Sequence, residues 1–167
     1  KKTCSPIDRS QSMNFLLWIF LFAYSPSINK EHAIVRQYFE KSVNCEIDAI
    51  NFQNQFDKIK NLPPDVHSAY KGMTYLIISR YKGTWLEKYD NFNVGKSYLE
   101  NAINTSPNNV EFRFLRHSVQ SNTPLFLFYR DEIEVDLKII EKFISVSSNE
   151  IKDKWLFDSI IKYLKNK

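Results

Sequence analysis

The chain reads as an all-α domain of about seven helices joined by short polar connections. Three observations predict this. Apolar residues recur at three- and four-residue spacing along most of the chain. Only 3 of the 167 residues are glycine, few for a fold built on tight turns. The prolines cluster in polar stretches such as "NLPPD" (61–65) and "NTSPNN" (104–109), where they end helices. With 43% apolar residues the chain can fill one core, and its length suits one domain.

The helices follow in order. "NKEHAIVRQYFEKSV" (29–43) carries Ile34, Val35, Tyr38 and Phe39 on one side, with Glu31 near the positive helix end. "CEIDAINFQNQFDKIK" (45–60) repeats the pattern through Ile47, Ile50, Phe56 and Ile59. After Pro63, the pair Pro64–Asp65 opens a helix to about Tyr81 with a broad apolar face. Thr84 is the expected N-cap of the next helix, Trp85 to Asn104, whose core side is Trp85, Tyr89, Phe92, Leu99 and Ile103. Asn108 with Glu111 forms a capping-box spacing for the fifth helix. Residues 125–145 fit both a strand and a helix period. The length free of glycine and proline after Arg130 decides for helix. Asn149 is the expected cap of a last helix to about Lys165. Sequential helices with short links are expected to stack as antiparallel hairpins.

At the front, Phe15–Tyr24 is an apolar run of ten residues, short of the roughly 20 that cross a bilayer. Ser25 and Ser27 place small residues before a cut after Ser27. Residues 1–27 are therefore expected to be a leader and 28–167 a single helical domain, periplasmic or secreted. An uncleaved membrane anchor is the alternative. Without residues 1–24, which hold Lys1, Lys2, Arg9 and Asp8, the net charge falls from +4 to +2. The remaining lysines alternate with acids, which argues against a nucleic-acid partner.

"GKSYLENAINTSP" (95–107) resembles the second helix of a tetratricopeptide repeat, with Gly95, Leu99, Ala102 and Pro107 in its small, large, small and proline places. Gly72 and Tyr75 echo the first helix, although Gly72 and Gly95 are farther apart than one such repeat allows. The resemblance implies stacked hairpins in a right-handed superhelix. "AYKGMTYLIISRY", "FNVGKSYLENAINTSPNNVEFRFLRHSVQSNTP" and "FLFYRDEIEVDLKII" together resemble a family of small exported helical proteins of Bacteroidetes-type bacteria. That resemblance implies architecture and location only.

The richest stretch for chemistry is "NNVEFRFLRHSVQ" (108–120). Phe112, Leu115 and Val119 form one apolar face, and Val110 and Phe114 another, so this helix is expected to be wedged between neighbours. Arg113, Arg116 and Gln120 form a polar strip between those faces. Guanidinium groups set among packed aromatics need acceptors, because an unpaired buried charge is costly. Asp136 or Glu134 on a following helix could serve. A ligand carboxylate or phosphate is the alternative acceptor. Glu111 and Asp136 are thus the candidate internal ion-pair residues.

His32, His67 and His117 are the whole histidine set, and none has metal-ligand spacing. Cys45 stands alone if Cys4 leaves with the leader. No metal or cofactor is expected. "DNFNVGKS" (90–97) lacks the first glycine of a phosphate-binding loop. The leading expectation is a non-enzymatic interaction domain that binds a protein or peptide partner in a groove, with Tyr70, Arg113, Arg116 and Tyr129 as groove residues. The alternative is a small enzyme or anionic-ligand-binding protein using Arg113, Arg116, His117 and Glu111.

Overall fold

The computed structural model describes residues 30–147 and 153–166. The expected leader, Cys4, Asn149 and Ile151 lie outside them. Among the described residues there are seven α-helices: α1 (Lys30–Ser42), α2 (Glu46–Phe56), α3 (Pro64–Ser79), α4 (Trp85–Thr105), α5 (Val110–Asn122), α6 (Ile133–Ser147) and α7 (Lys154–Lys165), with a short 3-10 turn at Leu125–Leu127. None of them is long and apolar enough to cross a membrane.

Local chemistry sets most of the boundaries. Pro63 precedes α3 and Pro64 occupies its first turn, where no backbone donor is lost. Thr84 caps α4 in a full capping box: its hydroxyl accepts from the Glu87 amide at 3.2 Å, and the Glu87 carboxylate accepts from the Thr84 amide at 3.0 Å. At α5 the cap is Asn109, not Asn108; its side-chain oxygen accepts from the amides of Glu111 and Phe112. Glu111 is therefore one position too early for a capping box, and its carboxylate turns inward. At α7 the cap is Asp153, which accepts from the Leu156 amide at 3.1 Å.

The centre of the fold is the α3–α4 pair. Asp65 bonds Ser106, Ser68 bonds the Tyr98 carbonyl, and Gly72 faces Gly95, so the two helices run antiparallel. A Cβ on Gly72 would meet the Gly95 carbonyl oxygen at 2.7 Å, and one on Gly95 would meet that of Gly72 at 2.7 Å. The backbones touch at that point because neither residue carries a side chain.

Two apolar clusters result. The larger joins α1 to α5 around Phe52, Tyr70, Met73, Leu99, Phe112 and Leu115. The smaller joins α5, α6 and α7 through Phe114, Ile140, Leu156 and Ile160. Helix α5 serves both, as its two apolar faces require. Trp85 and Tyr89 are not core residues: they are 63% and 40% exposed and stack on each other at 5.3 Å. Helix also begins later than residue 125. The backbone of Phe128 is left-handed (φ 46°), which ends the 3-10 turn and delays α6 until Ile133.

Candidate functional site

Two charged clusters grow from opposite sides of α5. The first is centred on Glu111. Arg36 of α1 donates to both Glu111 oxygens, from Nε at 2.8 Å and Nη2 at 2.6 Å. The other edge of the same guanidinium donates to both oxygens of Asp153, at 3.0 and 2.7 Å. Its face lies 4.4 Å from the Trp155 ring centre. Such two-point bonds fix orientation as well as charge. His32 Nε2 lies 3.1 Å from Glu111, and the Tyr70 hydroxyl donates to the same carboxylate. Burial pushes the Glu111 carboxyl up, but the bonds from Arg36 and His32, with the Arg36 charge, outweigh it and hold the group at about 2. Burial also raises Tyr70 well above the usual phenol range, helped by the Glu111 charge.

The second cluster is centred on Arg116. It donates to both oxygens of Asp136, from Nε at 2.7 Å and Nη2 at 2.8 Å. Nη1 donates to Glu100 of α4 at 2.9 Å, and Nη2 approaches Glu132 at 3.4 Å. Arg113 donates to Asp136 at 3.2 Å and to the Pro107 carbonyl at 3.0 Å. Burial opposes the Arg116 charge, but Asp136 and Glu100 more than offset it and raise its pKa. The Tyr129 hydroxyl donates to Glu100, and the Lys96 ammonium sits 4.6 Å from the Tyr129 ring centre. Burial, then the Glu100 bond, raises the Tyr129 phenol.

The first cluster is enclosed. The second forms the floor of an open hollow of about 500 Å³, walled by Lys96, Glu100, Asn104, Arg113, Arg116, Gln120, Tyr129, Asp131 and Glu132. One wall is continuous with the loop Leu125–Phe128. That loop is tied at its base: Arg130 donates to the Thr123 carbonyl, and the Glu132 amide donates to the Gln120 side chain. Leu127 and Tyr129 turn into the core, while Leu125, Phe126 and Phe128 are 76%, 61% and 85% exposed.

Of the expected groove residues, Arg113, Arg116 and Tyr129 line this hollow. Tyr70 does not: it is fully buried and belongs to the Glu111 cluster, because its ring fills the core between His32 and Phe39. Asp136 is fully buried against both arginines, whereas Glu134 is exposed. Glu111 pairs with Arg36. His117 packs edge-on against Tyr163 of α7. Arg113 and Arg116, Glu111, and His117 thus sit in three separate places and do not converge. Sequence reading missed Arg36, His32, Asp153 and Glu100. The signal for two of them was present: His32 and Arg36 share the face of Val35 and Phe39, an unusual place for charge. Among the described residues, no group of three or more His, Cys, Asp and Glu is placed to hold a metal ion.

Comparison with family models, curated proteins and solved structures gives no match, so the chain stands as a small all-helical protein of packed helix pairs with no family identified.

Proposed function

We propose that the chain is an exported helical interaction domain whose partner, a protein or peptide, docks on the hollow over Arg116 and on the adjoining loop Leu125–Phe128. One observation carries this reading. Three large apolar side chains are held in solvent on a loop tied at both ends, beside a charged hollow. A bulky residue with φ above zero is uncommon and strained. Here the left-handed backbone directs Phe128 outward instead of into the core at a cost in strain, an arrangement that favours contact over stability. Exposed aromatics at the edge of a polar depression are the usual anchors of protein–protein contacts.

Two finer points belong to the same proposal. The Gly72–Gly95 contact supports reading α3 and α4 as a hairpin of the tetratricopeptide kind, within a stacked superhelix. Export rests on the apolar run Phe15–Tyr24 and Ser25–Ser27. Mass spectrometry of the mature N-terminus tests the leader: a start near Ile28 supports its removal on export, and a start at or ahead of Met13 overturns that removal.

Docking is tested with a photoreactive phenylalanine analogue placed at Phe128 or, as control, at Val146. Crosslinking to one defined polypeptide from envelope extract is expected at Phe128 only. The Phe126→Ser/Phe128→Ser chain should lose that partner with an unchanged melting temperature. Equal crosslinking at both positions, or a partner retained by the double variant, would overturn the reading.

A further inference from the structure

Resting on that docking reading, we infer that the partner segment presents a lysine or arginine beside large apolar side chains, the cation entering the hollow and the apolar groups covering Phe126 and Phe128. The argument is one of charge already committed. Arg116 spends Nε, Nη1 and Nη2 on Asp136, Glu100 and Glu132. Arg113 is held by Pro107 and Asp136, and Lys96 lies against Tyr129. At the two arginines an incoming carboxylate or phosphate would have to compete with Asp136, which is fully buried and fixed from two sides, and only Lys96, lying against the Tyr129 ring, would be left to meet it.

A cation meets no such competition. The Glu132 side chain is 43% exposed and touches Arg116 only at 3.4 Å, and Asp131 beside it is exposed. Each carboxylate can accept about four hydrogen bonds, so an arriving ammonium or guanidinium adds bonds without breaking those to Arg116. Three lining carboxylates face three lining cations, and buried Asp136 behind them already engages both arginines, so Asp131 and Glu132 are the carboxylates left to receive a cation. Phe128 and Asp131 are three residues apart, so their Cα atoms are at most about 11 Å from each other. In the partner, the cation and the apolar anchor must therefore lie close together.

A random peptide library displayed on phage and panned on the full chain tests this, with the Phe126→Ser/Phe128→Ser chain as counter-selection. Enriched peptides should carry Lys or Arg within a few residues of Leu, Ile, Phe or Trp. A synthetic copy of one should bind the Asp131→Asn/Glu132→Gln chain about tenfold more weakly by fluorescence anisotropy, and more weakly at high salt. Selection of uncharged or acidic peptides that still depend on Phe126 and Phe128 would overturn the cation while leaving the docking surface standing. Enrichment indifferent to Phe126 and Phe128 would overturn both. So would Phe128-dependent sedimentation with phosphatidylglycerol vesicles where no peptide is enriched.

Discussion

Glu111 and Arg116 lie five residues apart on one helix, which turns them about 140° from each other. Each is a deep charge held by several opposite or polar partners. Around Glu111 every observed partner is another buried or half-buried side chain, and α7 closes the cluster with Asp153 and Trp155. Around Arg116 the partners Glu100 and Glu132 reach solvent, and the hollow opens over them. The same chemistry therefore serves two ends. A closed cluster spends its bonds on holding α1, α3, α5 and α7 in register, whereas an open one keeps capacity for something arriving from outside.

The comparison breaks or sharpens on stability. Glu111→Ala leaves Arg36 buried with Asp153 as its remaining carboxylate and removes the acceptor of Tyr70 and His32. A loss of about 3–5 kcal/mol in urea unfolding is expected. Acid should show the same cluster in the unaltered chain. The Glu111 carboxyl lies at about 2 when folded against an ordinary 4.5. Its stabilisation is complete above the ordinary value and is lost as pH falls through about 2. That is about 3 kcal/mol, and Glu111→Gln should not show it. Stability flat across that window would mean the cluster is not closed.

Asp136→Ala should cost less, about 1–3 kcal/mol, because Arg116 keeps Glu100 and Glu132 and gains water from the hollow. A cost above that of Glu111→Ala would reverse the comparison. The smallest effect belongs to the loop. Phe128→Gly should leave stability unchanged or raise it by up to about 1 kcal/mol, since glycine relieves the left-handed backbone but loosens the unfolded chain. A marked loss would show that Phe128 supports the fold and is not held out for contact.

Much of the fold was legible in residues alone. Helical periodicity, the proline breaks, Thr84 and the two-faced fifth helix are local signals, and each has its counterpart in the structure. Legibility failed where a local pattern was ambiguous or outvoted. Trp85 and Tyr89 have the spacing of a core face, but α4 outruns its neighbours at that end and leaves them in solvent. Phe128 looked like the interior of a helix, and only its tie to neighbouring loop positions shows why the chain turns left-handed there.

The sequence by itself determined the class of the fold, the seven helices seen among the described residues and the need for buried arginines to find acceptors. Those follow from side-chain spacing and from the cost of an unpaired charge, which act within a turn or two of helix. Only the tertiary structure decided which acid met which base. Arg36 meets Glu111 across 75 residues and Asp153 across 117. No local rule spans such distances; they are set by how whole helix faces pack, and that packing closed one cluster and left the other open.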